Sequence, residues 1–160
     1  MQNEILRMLN ENARLTPGQI AERLNKSEKE VAAMIKRLEE DNIIKGYRAI
    51  VDESVFSPNC VKAIIEVKVR PERDGGFNNI AKRVSKFSEV SSLYLVSGGF
   101  DLLIEVQGGT LQEVADFVSS KLSTIEGVIS TSTHFLLKKY KESGKMLHNE
   151  DEYERLKVSP

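Results

Sequence analysis

The chain has 160 residues, 23 Lys/Arg against 24 Asp/Glu, and few aromatics, a composition that fits a soluble globular protein of one compact domain or two small ones. No apolar run approaches the ~20 residues needed to cross a bilayer, and Met1-Gln2-Asn3-Glu4 lacks the basic-then-apolar layout of a secretory signal, so the expected location is the cytoplasm and no membrane partner is expected. The single cysteine, Cys60, excludes an internal disulfide and a cysteine-rich zinc site.

The first segment, Ile5 to Ala13, sets Ile5, Leu6, Leu9 and Ala13 on one helical face. Thr16-Pro17-Gly18-Gln19 then reads as a capping box with proline at the first helical position, where its missing N–H costs nothing. It opens a short helix that buries Ile20, Ala21 and Leu24. Asn25, tolerant of the left-handed conformation, turns the chain. Ser27-Glu28-Lys29-Glu30 is a second capping box, starting a helix with Val31, Met34, Ile35 and Leu38 as its core stripe. Two capped helices whose caps lie eleven residues apart, the first about two turns long, predict a helix-turn-helix. A small helical bundle without DNA function satisfies the same stripes. Asp41-Asn42 ends the helix, and Ile43 to Val51 reads as a strand or wing.

Charge gives this reading little help. Residues 1–50 hold nine Lys/Arg and eight Asp/Glu, whereas nucleic-acid-binding domains are commonly basic.

Asp52 to Asn59, with Pro58, reads as a connector. From Cys60 the period changes to two: Ala63, Ile65, Val67 and Val69 alternate with Lys62, Glu66, Lys68 and Arg70. Pro71 to Gly76 is a loop, and Phe77, Ile80, Ala81, Val84 and Phe87 recur at helical spacing. A second strand over about Val90–Ser97, a tight Gly98-Gly99 turn, and a third strand over Phe100–Gln107 follow. Thr110-Leu111-Gln112-Glu113 is a third capping box, opening a helix with Leu111, Val114, Ala115, Val118, Leu122 and Ile125 on one face. The last strand is predicted from about Gly127 to Tyr140. The order βαββαβ predicts an α+β, ferredoxin-like antiparallel sheet with both helices on one face. The other face, with Ile64, Leu103 and Leu136 among charged residues, predicts homodimerisation. The tail from Glu142 is read as a solvated extension or a strap across a neighbouring subunit.

The chain resembles the leucine-responsive/asparagine-dependent (Lrp/AsnC) regulators along nearly its whole length. The resemblance is carried by Ile5-Leu6 to Ala13-Arg14-Leu15-Thr16, by Ile20-Ala21-Glu22-Arg23-Leu24, and by Ser27 to Arg37-Leu38-Glu39-Glu40-Asp41-Asn42-Ile43-Ile44-Lys45-Gly46-Tyr47. In the second half it is carried by Val96-Ser97-Gly98-Gly99-Phe100-Asp101-Leu102-Leu103 and by Gly127-Val128 with Thr131 and Thr133. It implies a winged helix-turn-helix over 1–50, a hinge over 51–59, a ferredoxin-like effector-binding and oligomerisation domain over 60–141, and a tail over 142–160. It implies double-stranded DNA and an amino acid or related metabolite as partners, in a homodimer or higher homo-oligomer. Linking several weak readers raises effective concentration, which answers the weak charge.

For DNA, the expected residues are Thr16, Ser27, Lys29, Ala32, Ala33, Lys36 and Arg37. Capped helix starts and lysines suit phosphates, arginine suits phosphate or a guanine edge, and alanines permit close approach and contact with a thymine methyl. Lys36 and Arg37 read equally well as solvated residues paired with nearby acids. Relatives commonly carry arginine where this chain has Met34, and Glu28 and Glu30 bring negative charge to the same helix end. For the effector, the expected residues are Gly98, Gly99, Phe100, Asp101, Thr131, Thr133 and His134. Relatives often read Gly-Asp-Tyr/Phe-Asp at that turn, so the first acid is missing here. Asp101 reads alternatively as an ordinary hairpin residue.

No catalytic residue, metal or cofactor is expected. His134 and His148 lie far from any cysteine, and no Gly-x-Ser-x-Gly or phosphate-binding loop is present. Sirohaem decarboxylases share the two-domain layout but carry histidine- and arginine-rich pocket segments near the second hairpin, where Leu93-Tyr94-Leu95-Val96-Ser97 offers none. An effector-sensing oligomer with little DNA binding of its own is the other alternative.

Overall fold

The computed structural model describes residues 1–51, 60–71 and 76–147. The predicted connector 52–59, the inner part of the 71–76 loop and the tail from His148 onward lie outside the described residues. The chain divides into two compact units, Met1–Val51 and Asp52–Pro160.

The first unit is three helices: α1 (Gln2–Glu11), α2 (Pro17–Leu24) and α3 (Glu28–Glu40). Ile5, Leu9, Ile20, Ala21, Val31 and Leu38 form its buried core, and Leu6, Met34, Ile35 and Ile44 pack against it. Two of the three predicted capping boxes, those of α2 and α3, are present; at the third, Thr110 Oγ1 accepts from Glu113 N, but Glu113 Oε2 accepts from Gly109 N, one residue earlier than a capping box requires. Thr16 Oγ1 accepts from Gln19 N while Gln19 Oε1 accepts from Thr16 N, and Ser27 and Glu30 make the same exchange. Two asparagines end the helices. Asn25 (φ 52°) and Asn42 (φ 56°) take the left-handed conformation. The residues after them, Lys26 and Ile43, donate back to Ala21 O and Leu38 O, so the last carbonyls of α2 and α3 are satisfied. α1 stops two residues before Ala13, which lies outside the helix.

Ile43–Val51 forms no strand among the described residues. An extended segment becomes a strand only when its backbone pairs with a neighbouring strand; here the amides of Ile43 and Ile44 donate to Leu38 O at the end of α3 instead. Farther along, the Tyr47 hydroxyl donates to Glu39 Oε1 at 2.8 Å.

The second unit is built on a four-stranded antiparallel sheet of order β2-β3-β1-β4, from β1 (Val61–Val69), β2 (Val90–Leu95), β3 (Leu102–Gly108) and β4 (Val128–Phe135). α4 (Asn78–Val84) and α5 (Leu111–Phe117) supply the two helical connections, and a π-helical turn, Val118–Leu122, prolongs α5. The order is the predicted ferredoxin-like one. Alternation in β1 and β3 sends Ala63, Ile65, Val67, Val69, Leu102, Ile104 and Val106 to one face. There they bury with Ile80, Val84, Val114, Phe117 and Leu122, each of these side chains except Ala63 worth roughly 1.5–3 kcal/mol of transfer free energy.

Three predicted boundaries move. β4 ends at Phe135, because Ala63↔Phe135 is its last register pair and β1 begins only two residues earlier; Leu136 N still donates to Lys62 O. The β2–β3 connection is a six-residue loop closed by Val96 N donating to Asp101 O. A two-residue hairpin turn of type I′ needs positive φ at both central residues, and Gly99 does not adopt it. Finally, β5 (Lys141–Glu142) and β6 (Lys145–Met146) form a small hairpin where an extension was predicted. Its turn residues, Ser143 (φ 45°) and Gly144 (φ 81°), both have positive φ, the signature of a tight primed turn.

Candidate DNA-reading and effector sites

The buried stripe of α3 leaves the opposite side open. Lys29, Ala32, Ala33 and Lys36 are all exposed there, gathered on one face by the helical period. Arg37 is exposed on its flank and pairs with Asp41 at 3.5 Å, while Lys36 pairs with Glu40 at 3.7 Å. Exposed pairs of this kind are worth a few tenths of a kcal/mol and yield readily to a phosphate. Thr16 and Ser27 are held in the caps at the starts of α2 and α3.

The two acids at the start of α3 are exposed but locally engaged. Glu30 Oε2 accepts from both the amide and the hydroxyl of Ser27, at 3.0 and 2.7 Å. Hydrogen bonding to Ser27 holds its carboxyl below the ordinary carboxylate range. The Glu28 carboxylate lies against Gly18, 3.5 Å from where a β-carbon would stand. That places it beside the first turn of α2, whose amides favour negative charge. Met34 packs half-buried on the helical core, so an arginine at that position would have to leave the core stripe. Tyr47, missed by sequence reasoning as a structural tie, keeps its proton. Desolvation first, and then donation to Glu39, push its hydroxyl pKa upward.

The predicted effector residues are only partly brought together. Gly98 and Gly99 are exposed, with open space where a β-carbon would lie on either, so the loop presents bare backbone. Asp101 is committed to its own chain: Oδ2 accepts from Val69 N at 2.9 Å, and its amide donates to Val67 O. The β1–β3 ladder ends at Val67↔Leu102, and β1 carries an irregularity between Lys68 and Val69. The Asp101 side chain therefore supplies the acceptor that β3 no longer offers. Thr131 and Thr133 stand opposite Val67 and Ile65, on the helix-covered face and at the sheet end near Asp101, with β1 between. His134 stands opposite Ile64, on the other face. Its Nε2 lies 3.5 Å from Glu66 Oε1 and 3.3 Å from Ser132 Oγ. Within one chain, then, His134 is separated from the two threonines by the thickness of the sheet.

A cleft of about 280 Å³, which no sequence feature announced, opens at the far end of β3. It is lined by Val106, Val114 and Phe117 with Glu113, Asp116 and Lys121 among its polar residues. Lys121 pairs with Glu89, which holds the Glu89 carboxyl below its ordinary range. Among the described residues, no group of His, Cys, Asp or Glu gathers as a metal site, and no helix is long and apolar enough to cross a membrane.

A capped helix-turn-helix and a βαββαβ sheet unit in one chain define a DNA-binding regulator with an appended sensory domain. Residues 2–45 match the family model for a winged helix-turn-helix DNA-binding domain, and residues 62–146 match that for the Lrp/AsnC ligand binding domain. The chain is 43% identical over 160 residues to the HTH-type transcriptional regulator YugG of Bacillus subtilis (strain 168), itself uncharacterized, covering 99% of this chain and 96% of that one. It is 31% identical over 137 residues to the HTH-type transcriptional regulator LrpA of Pyrococcus horikoshii, covering 86% and 94%. Among solved structures, a transcriptional regulator of Neisseria meningitidis in complex with L-Met superposes with a TM-score of 0.66 at 28% identity, over 88% of this chain and 90% of that one. The chain belongs to the Lrp/AsnC family of transcription regulators.

Proposed function

We propose that the protein reads double-stranded DNA through the exposed face of α3 and responds to an amino acid or a closely related metabolite through its second unit, working as a homodimer or larger homo-oligomer in the cytoplasm without enzymatic activity. The observation that carries the DNA reading is the side of α3 opposite the core. Lys29, Ala32, Ala33 and Lys36 present two cations and two small side chains, while Glu28 and Glu30 are engaged elsewhere. In this reading Lys29, Lys36 and Arg37 contact phosphates or a guanine edge, the alanines admit the groove wall, and the caps at Thr16 and Ser27 lie close to the backbone.

The effector reading draws on the regulator solved with L-Met and on the bare backbone at Gly98-Gly99, with Phe100, Asp101, Thr131, Thr133 and His134 as the proposed surroundings. Because His134 and the threonines face opposite sides of one sheet, the proposed pocket takes them from different subunits. The division is 1–50 for DNA reading, 51–59 as hinge, 60–141 for sensing and assembly, and 142–160 as tail; the 141/142 boundary runs through β5. Footprinting on the DNA upstream of the protein's own gene tests the reading. Protection is expected at low salt, and its absence would falsify it. Lys36→Ala and Arg37→Ala are expected to weaken protection and flatten its salt dependence. An unchanged slope would remove those two residues from the phosphate contacts.

A further inference from the structure

We propose that the cleft between α5 and the adjoining ends of β2 and β3 is a binding site for a small organic cation, a primary ammonium carried on a compact apolar body. It is separate from the effector surroundings at Gly98-Gly99 and Asp101. That loop precedes β3, and the cleft opens at the strand's other end, roughly 17 Å along it. The inference therefore stands independently of the effector reading.

The floor of the cleft is apolar and fixed. Val106, Val114 and Phe117 line it, and all three belong to the buried core of the second unit. Phe117 is further held edge-to-face against Phe87, with ring centres 5.5 Å apart. The volume is about 280 Å³, and an apolar cavity of ~150 Å³ already takes up benzene, so a single ring with a short arm fits.

The rim selects the charge of that arm. It carries the carboxylates of Glu89, Glu113 and Asp116, and Lys121 is the one cation lining the cleft among the described residues, a formal −2. Glu113 and Asp116 accept from neutral donors, the Gly109 amide at 2.7 Å and the Gln112 side-chain amide at 2.8 Å. Those bonds position the two carboxylates without cancelling their charge. An apolar floor below an anionic rim suits a ligand that is apolar at one end and cationic at the other.

The chain already makes this kind of contact with a side chain of its own. The Lys121 ammonium pairs with Glu89 and lies 5.9 Å from the centre of the Phe87 ring, so a carboxylate and an aromatic ring share one cation. Lys121 comes from the π-helical turn Val118–Leu122, closed by Ser123 N donating to Val118 O at 2.8 Å. Such local widenings of an α-helix are frequent at functional sites. The Lys121 side chain is about half exposed; it engages one carboxylate and leaves two for a ligand.

The test is saturation-transfer NMR on the full-length protein with three probes of closely similar skeleton: phenethylamine, phenethyl alcohol and hydrocinnamate. The amine is expected to bind saturably with a Kd of about 1 mM, the alcohol at least about three-fold more weakly, and the carboxylate not at all. Two substitutions at exposed residues locate the site. Asp116→Asn removes a rim charge and is expected to weaken the amine about three- to five-fold. Lys121→Met keeps the stem, removes the competing cation and is expected to tighten it by a similar factor, the scale of one unit charge a few ångströms away in water. If Asp116→Asn lowers the unfolding midpoint, Glu89→Gln replaces it and must weaken the amine likewise. Equal binding of amine and alcohol overturns the cationic assignment. Amine binding that ignores the charge substitutions lies elsewhere and overturns the site, as does the absence of saturable amine binding at about 10 mM. None of these outcomes bears on the effector reading, which rests on amino-acid binding near Gly98-Gly99.

Discussion

Gly127 shows how one residue can be required by space and backbone together. Its φ of +94° lies in the region L side chains avoid, and a β-carbon there would stand 2.8 Å from Ile80 Cδ1 in the buried core. Its carbonyl also accepts from Arg70 N, anchoring the start of β4 to the end of β1. Gly127→Ala is expected to cost about 1–3 kcal/mol, read as a lowered midpoint in thermal or urea unfolding; an unchanged midpoint would mean that Ile80 and the turn relax freely. Asp101 makes the complementary case. The sequence offered it as an ammonium acceptor or as an ordinary hairpin residue, and the carboxylate is hydrogen-bonded to Val69 N. Removing it strands a half-buried amide, so Asp101→Ala is expected to destabilise the free protein by about 1–3 kcal/mol. That loss should appear with no ligand present. Nothing in the sequence reveals the Val69 partnership, because the two residues are 32 positions apart and meet only where one strand pairing ends.

At the scale of elements, the helix-turn-helix was legible because its signals are local. A cap and its reciprocal partner are three residues apart, and a stripe repeats within two turns, so Thr16/Gln19 and Ser27/Glu30 formed as read. Ser27→Ala is expected to cost about 1 kcal/mol, detectable as selective loss of protection from hydrogen exchange in α3. Glu30 adds a pH dependence of defined sign. Its carboxyl has an ordinary value of 4.5 and is lowered in the folded protein by its hydrogen bonds to Ser27. A lowered folded-state pKa contributes stability that is fully present above the unfolded value and is lost as pH falls through the folded one. Glu30→Gln keeps the capping geometry but cannot titrate, so wild type is expected to lose stability relative to this variant as pH drops below 4.5. Parallel acid limbs for the two proteins would count against the assignment. Strand ends were less legible. A strand stops where its neighbour stops, so β4 ended at Phe135 and the stretch after α3 stayed unpaired. The β5–β6 hairpin was missed because two residues per strand show no periodicity, although Ser143-Gly144 was a usable turn signal.

For the whole molecule, the family and the two-unit organisation bear on what a ligand can do. A screen of amino acids by thermal shift is expected to yield a hit, since a ligand that binds only the native state stabilises it by about 2.7 kcal/mol at a hundred times its Kd. The shift should vanish in Asp101→Ala when measured against that variant's own baseline. A retained shift would move the pocket elsewhere, and the cleft beside Glu113 and Lys121 would be the next place to look. The DNA-binding prediction belongs to this scale too, because several near-neutral readers joined in one assembly can act where one is weak.

Sequence alone determined the kind of protein. Hydrophobic period, capping boxes and turn residues are short-range properties, and they were enough to specify a helix-turn-helix and a βαββαβ sheet, while matching segments along the chain carried the resemblance to the Lrp/AsnC regulators. Only the tertiary structure decided which candidate residues keep company. It set the Glu28 carboxylate beside Gly18 of α2, spent the Asp101 carboxylate on the β1 backbone, and set His134 and the two threonines on opposite faces. The physical reason is that a side chain's partners depend on strand register and helix contacts between residues distant in the chain, and no local pattern encodes those pairings.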